Sequence, residues 1–297
     1  MNLPKNVKIV EVGPRDGLQN ESKAVPVDVK AAFIDQLASA GLQSIEVGSF
    51  VSPKWVPQMA DSDKVYEKVK HLTQVDLPLL VPNMKGFETA LENDVRSISV
   101  FAAASESFSQ RNTNVSIDES LQRLSDVCAA ALNKNMRIRG YVSCVLGCPY
   151  EGEIAPEKVL SVSKRLIDMG CAEISLGDTI GVGTPGQVQN LIQVHTAHMP
   201  VEKLAVHFHD TYGQALANIL SALQNGVNVI DSSASGLGGC PYAKGASGNV
   251  ATEDVLYMLH GLGISTGADL DKTIAAGQMI SDYLGRLSAS KVAQAKQ

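Results

Sequence analysis

Short runs of β-branched and apolar residues recur along this 297-residue chain, and longer stretches with helical periodicity separate them. The candidate strands are residues 7–12, 44–47, 77–81, 97–101, 137–143, 172–176, 204–208 and 228–232. The helical stretches between them include 27–40, 63–70, 86–93, 117–133, 156–169, 185–196 and 214–224. A strand that returns to its sheet through a helix lies parallel to its predecessor, so the repeat dictates a parallel sheet. Eight such units suit a closed (β/α)8 TIM barrel of class α/β, with an open doubly wound sheet as the alternative. Three helical stretches end in glycine shortly before a strand: Ala40-Gly41…Ile45, Met169-Gly170…Ile174 and Asn225-Gly226…Ile230. Each glycine suits the left-handed position that closes a helix. No linker interrupts the pattern, so residues 1–297 read as one catalytic domain, with 270–297 as extra helix packed on the barrel.

Composition narrows the function. Hydrophobic residues make up 44% and charged residues 19%, enough for a large core. Lys plus Arg is 25 against 31 Asp plus Glu, a net charge of −6, which argues against a nucleic-acid partner. The longest uncharged stretch, residues 179–201, carries Gly, Pro, Gln, Asn and His throughout and is no membrane span. Five cysteines in a chain with a full-sized core read as reduced thiols in a cytosol-like compartment. Met1-Asn2-Leu3-Pro4-Lys5-Asn6 shows no signal peptide, and the chain is expected in the cytoplasm.

A barrel places its chemistry at the C-terminal ends of its strands, which makes polar residues just after each strand the candidates. Arg15 and Asp16 follow the first strand; the bland alternative is a solvated turn built on Pro14 and Gly17. His207 and His209 end the seventh strand, and strand alternation turns both to the same side, half of a metal site. Asp16 and Asn249 as oxygen co-ligands would favour Mg²⁺ or Mn²⁺ over a structural zinc. Glu46 and Asp178 each sit in or at the end of a buried strand, where a carboxylate needs a partner; either suits orienting a His or Arg, or is an ordinary salt-bridge partner. After the eighth strand, residues 235–249 hold five glycines around Cys240, which marks a loop thiol open to reaction, or an incidental one. Gly181-Val182-Gly183-Thr184-Pro185-Gly186 matches a dinucleotide fingerprint, but no acidic residue stands about 20 positions on at the end of the next strand, where a ribose would be read. It reads instead as a helix start, with Thr184 as cap and Pro185 in the first turn. Cys144 and Cys148 lack a second ligand pair at zinc-finger spacing, and Cys128 and Cys171 suit the core.

Glu11-Val12-Gly13-Pro14-Arg15-Asp16-Gly17-Leu18-Gln19-Asn20 closely resembles the first-strand motif of the 3-hydroxy-3-methylglutaryl-CoA lyases, within the metal-dependent TIM-barrel lyase superfamily. So do Ser49-Phe50-Val51-Ser52-Pro53-Lys54-Trp55-Val56-Pro57-Gln58-Met59 and His207-Phe208-His209-Asp210-Thr211-Tyr212-Gly213. The Gly236-Leu237-Gly238-Gly239-Cys240-Pro241-Tyr242 loop separates the lyases from the carboligases and aldolases of the same superfamily, the alternative reading. The resemblance runs over nearly the whole chain, through Gly248-Asn249-Val250-Ala251-Thr252-Glu253-Asp254. It implies divalent-metal-dependent cleavage of the CoA thioester (S)-3-hydroxy-3-methylglutaryl-CoA to acetyl-CoA and acetoacetate, in leucine degradation, by a homodimer. By the same resemblance Asp16, His207, His209 and Asn249 hold Mg²⁺ or Mn²⁺, Arg15 contacts substrate, Cys240 is the catalytic loop thiol, and Glu46 and Asp178 are acidic residues of the site. Asp16 and His207 are both candidates for the base. Animal members carry a mitochondrial leader, which this chain's start does not resemble. Some members also carry a C-terminal cysteine for redox control, and no cysteine follows Cys240 here.

Overall fold

In the computed structural model, which describes residues 3–239 and 248–296, nine parallel strands form one sheet. They are β1 (Lys8–Glu11), β2 (Ser44–Ile45), β3 (Gly48–Ser49), β4 (Leu79–Leu80), β5 (Ser97–Ala103), β6 (Arg137–Ser143), β7 (Glu173–Asp178), β8 (Leu204–Phe208) and β9 (Val229–Ser232). The order is β2-β1-β9-β8-β7-β6-β5-β4-β3, and its two end strands are neighbours in sequence. The expected strand at 44–47 begins as β2 and runs on towards β3, bonded on both sides. The Glu46 N–H donates to the Glu11 carbonyl at 2.9 Å, while the Ile45 and Val47 N–H groups donate to Asp76 and Pro78 on the other side at 2.9 and 3.0 Å. That double pairing closes the sheet into the TIM barrel.

The helices lie where periodicity placed them, within a residue or two. Gly41, Gly170 and Gly226 all hold left-handed backbone, at φ of 92°, 98° and 91°, as the helix-to-strand turns require. The Gln187 side chain caps Thr184 by accepting its N–H at 3.0 Å. Two helices had no clear signal. Glu106–Thr113 buries only Phe108 and Ser109, too little to make a stripe, and Thr252–Gly261 starts directly from the polar run that follows β9. The extra C-terminal segment is two helices, Leu270–Leu284 and Lys291–Ala295, separated at left-handed Gly285. Tyr283 Oη donates to the Ala24 carbonyl at 3.3 Å, and Arg286 pairs with Glu21 at 2.7 Å. Asp254 caps the last helix by accepting the Val292 N–H at 2.9 Å. Among the described residues, no helix is long and apolar enough to cross a membrane.

One apolar cluster joins the outer faces of the strands to the helices, with Ile98, Val100, Ile138, Val142 and Val206 packed among Phe33, Ile34, Leu121 and Leu166. The interior of the barrel carries charge. Arg139 on β6 is 1% exposed and reaches across to Asp231 on β9 with two bonds, Nη1–Oδ2 at 3.0 Å and Nη2–Oδ1 at 2.6 Å. Its Nε donates to Glu173 at 2.6 Å, and Arg137 below it pairs with Asp76 at 3.1 Å. A bidentate guanidinium–carboxylate pair is the form in which a buried charge is tolerated.

Two more carboxylates are buried against backbone N–H groups rather than cations. Burial pushes Glu11 up to about 7 and Glu253 up to about 8, against the hydrogen bonds that each accepts. Both values exceed that of an unfolded chain, so the folded protein holds more protons and loses stability as pH rises through them. Below pH 6.5 (the ordinary histidine value) His209, lowered by burial and then by His207 to about 4, acts in the opposite sense. The melting temperature of the metal-free protein is therefore expected to fall from about pH 6.5 to about pH 8.5. Glu253→Gln should flatten the slope; an unchanged slope in that variant would contradict the assignment.

Candidate active site

Three loops at the C-terminal ends of the strands converge over the charged interior. After β1 the chain makes a single tight turn, Gly13–Gly17, that carries Arg15 and Asp16. After β8 come His209 and Asp210, and after β9 the chain runs through Ser233–Gly239 and returns at Gly248. Cys240 lies outside the described residues. The flanks of that stretch meet each other: the Gly248 N–H donates to the Gly238 carbonyl at 3.0 Å, and Asn249 bridges to His209. Gly238 has φ +98°, and a Cβ there would lie 2.9 Å from Asn249 Nδ2, so the approach needs glycine.

Asp16, His207 and His209 each present a ligand atom, and the three atoms lie within 4.8 Å of one another. His207 Nε2 stands 3.9 Å from Asp16 Oδ2, and the two imidazole centroids are 5.3 Å apart. Asn249 joins them by donating Nδ2–H to Asp16 Oδ2 at 2.8 Å and to the Leu237 carbonyl at 3.2 Å. Arg15, 7% exposed, is held on two sides. Its Nε donates to Glu46 Oε2 at 2.6 Å and its Nη1 to Asp16 Oδ1 at 2.7 Å. The expected pairing of Glu46 with an arginine is thus present.

Asp178 differs from expectation. Its carboxylate accepts the Gly183 N–H at 2.8 Å and the Val182 N–H at 3.3 Å, which shapes the loop after β7. The carboxylate that orients a histidine is instead Asp231, at 3.3 Å from His207 Nδ1. Asp231 also accepts Ser175 Oγ at 2.8 Å. An inward aspartate in a buried strand obeys the argument that singled out Glu46, and Asp231 was recognisable on that ground. Tyr141 was also missed. Its ring packs against His207 at 6.2 Å, with the Arg15 and Arg139 guanidinium carbons 5.4 and 4.9 Å from its centre. Its buried Oη finds no hydrogen-bond partner among the described residues. Cys128, Cys144, Cys148 and Cys171 are all buried free thiols.

The electrostatics suit a cation. Burial would raise the Asp16 carboxyl, but Arg15 first, then His207 and His209, hold it at about 2, so it is ionised at neutral pH. Burial lowers His209 to about 4, helped by His207, so its ring is neutral and keeps a lone pair. For His207 burial is outweighed by the Asp231 hydrogen bond and the Asp16 charge, and its affinity for a proton rises. Because ionised Asp231 only accepts, His207 donates Nδ1–H to it and turns Nε2 towards Asp16. Among the described residues, buried His209 Nδ1 finds no hydrogen-bond partner. One carboxylate, two imidazoles and an orphaned ring nitrogen fit a divalent metal ion.

The family model described as HMGL-like matches residues 6–280. Mouse mitochondrial hydroxymethylglutaryl-CoA lyase is 59% identical over 293 residues, which cover 99% of this chain and 90% of the mouse protein. The crystal structure of hydroxymethylglutaryl-CoA lyase from Pseudomonas aeruginosa superposes with a TM-score of 0.98 at 57% identity, over 100% of this chain and 99% of that one. An HMG-CoA lyase from Acinetobacter baumannii, solved in complex with coenzyme A and 3-methylmalate, gives a TM-score of 0.94 at 34% identity, over 100% and 97% of the two chains. With the TIM barrel, the Arg15–Asp16 turn and the histidine pair in these positions, this chain belongs to the HMGL-like family, among the hydroxymethylglutaryl-CoA lyases.

Proposed function

We propose that this chain, read as one catalytic domain, is a carbon–carbon lyase that cleaves (S)-3-hydroxy-3-methylglutaryl-CoA to acetyl-CoA and acetoacetate in leucine degradation. The observation that carries the reading is the Asp16–His207–His209 cluster set beside an arginine that Glu46 holds in place. Asp16, His207, His209 and Asn249 would hold Mg²⁺ or Mn²⁺, which suit a mixed oxygen and imidazole set. When bound, the ion would polarise the substrate hydroxyl and a carbonyl or carboxylate oxygen.

The cleavage is a retro-Claisen reaction: the hydroxyl loses its proton, the adjacent carbon–carbon bond breaks, and the electron pair moves into a thioester enolate. Asp16 and His207, 3.9 Å apart, are the two candidates for the base that takes that proton, and Asp231 behind His207 would stabilise a charge on that ring. Arg15 has further N–H groups beyond the two that bind Glu46 and Asp16. They are the donors for the enolate oxygen, whose charge appears only as the bond breaks. Burial raises Asp178, which supports the wall of the site through the loop after β7. Cys240 is proposed as the acid that protonates the enolate carbon; this role rests on its place in the sequence and on the family resemblance. A cytoplasmic homodimer is the setting we propose with it: the resemblance implies the homodimer, and the buried free thiols suit a cytosol-like compartment.

The direct test is acetoacetate release from HMG-CoA. Chelation should abolish it and added Mg²⁺ or Mn²⁺ should restore it, while His207→Ala and His209→Ala should weaken Mn²⁺ binding without unfolding the barrel. Full turnover after exhaustive chelation would contradict the metal role.

Arg15→Lys keeps the charge and loses the forked geometry. It is expected to lower kcat by about 10²-fold or more, with a much smaller effect on KM. Cys240→Ser should show the same split, because a hydroxyl is a far poorer acid than a thiol. Normal kcat with a raised KM in either variant would overturn the role given to that residue.

A further inference from the structure

We propose that Glu11 is a positioning residue that locks the turn bearing Asp16 to the two segments flanking residues 240–247, one of which carries Asn249. Glu11 ends β1, is 0% exposed, and stands outside the Asp16–His207–His209 cluster. Its Oε1 accepts the Gly13 N–H at 2.8 Å and the Ala234 N–H at 2.9 Å. Its Oε2 accepts the Thr252 hydroxyl at 2.6 Å. Gly13 opens the turn bearing Arg15 and Asp16. Ala234 lies on the stretch that runs towards Cys240. Thr252 lies three residues beyond Asn249, on the stretch that returns. One carboxylate therefore ties the Asp16 turn to both flanks of residues 240–247.

The fit around this carboxylate leaves no slack. A Cβ on Gly13 would stand 2.6 Å from Glu11 Oε1, and one on Gly17 would stand 2.7 Å from both Leu237 Cβ and Ser233 Oγ. Glu253 repeats the device one residue along, accepting the Ser235 N–H at 2.8 Å. The lock bears on the metal centre because Asn249 meets Asp16 at 2.8 Å from a segment 233 positions away in sequence. The β1–β9 ladder sets the backbones side by side, and Glu11 adds a side-chain anchor that the Asp16 turn shares with the segment carrying Asn249. A buried carboxylate serves here because several backbone and hydroxyl donors converge on one point, and an apolar side chain would leave each of them unsatisfied.

The inference rests on the metal reading proposed above, and the test separates the two. Mn²⁺ affinity of the apoprotein, kcat, KM for HMG-CoA and the melting temperature are measured for wild type, Glu11→Ala and Glu11→Gln. Glu11→Ala removes the acceptor for Gly13 and Ala234. It is expected to weaken Mn²⁺ binding by about 10- to 100-fold and to lower kcat comparably, with a smaller change in KM. Glu11→Gln keeps an oxygen for both N–H groups and should restore Mn²⁺ affinity to near the wild-type value. A Glu11→Ala protein that melts lower yet binds Mn²⁺ and turns over like wild type would overturn the proposal, as would a Gln variant no better than Ala. If Glu11→Ala does not fold, Thr252→Val removes the Oε2 bond, together with the Thr252 contact to Ser232 Oγ at 2.8 Å, and leaves both Oε1 bonds in place. Weakened Mn²⁺ binding, rescued by Thr252→Ser, then supports the lock, and wild-type binding contradicts it. A wild-type protein that binds no Mn²⁺ would sink the metal reading itself.

Discussion

A fully buried arginine inside a closed barrel is the constraint on which the rest of the site depends. Arg139 cannot be left unpaired, because breaking one partner of a buried ion pair costs about 3–5 kcal/mol. Its two bonds to Asp231 and one to Glu173 cross the interior from β6 to β9 and to β7. Held in this way, Asp231 offers a fixed acceptor to His207 Nδ1, and the imidazole can present only Nε2 to the mouth. The charged floor of the barrel thus decides the tautomer of His207 at its top.

Above that floor, Arg15 is shared between two carboxylates of different duty. Glu46 is buried, and its Oε2 takes the guanidinium Nε; Asp16 takes Nη1 with one oxygen and faces His207 and Asn249 with the other. The arginine lowers the Asp16 pKa and keeps it an ion, while burial would otherwise neutralise it. The same arrangement fixes the guanidinium in place and leaves its other N–H groups for the role proposed above. Binding and catalysis therefore draw on one rigid knot rather than on two independent groups.

Much of this was readable in the chain. The eight strand–helix units, the three closing glycines and the same-side His207/His209 pair follow from periodicity and backbone stereochemistry, which are local properties. That the stretch through Glu46 and Val47 bonds β1 on one side and the β4 segment on the other, and so closes the barrel, was not readable, because partners are not local. Asp178 and Asp231 show the same limit from the side-chain face. Both are carboxylates in or ending buried strands, and both need donors. Only the closed barrel reveals that Asp178 finds them in loop N–H groups and Asp231 finds them in Arg139, Ser175 and His207. Glu11 sits in the sequence beside the motif that names the family, yet its donors come from Ala234 and Thr252, far along the chain.

The central claim is that Asp16, His207 and His209 gather one divalent ion at the barrel mouth. Anomalous diffraction from a crystal of this protein soaked in Mn²⁺ tests it most directly. The account predicts a single strong anomalous peak within bonding distance of an Asp16 carboxylate oxygen and both imidazoles, with Arg15 still on Glu46. A crystal saturated with Mn²⁺ that shows no peak among these three side chains, or a peak only elsewhere, would contradict it.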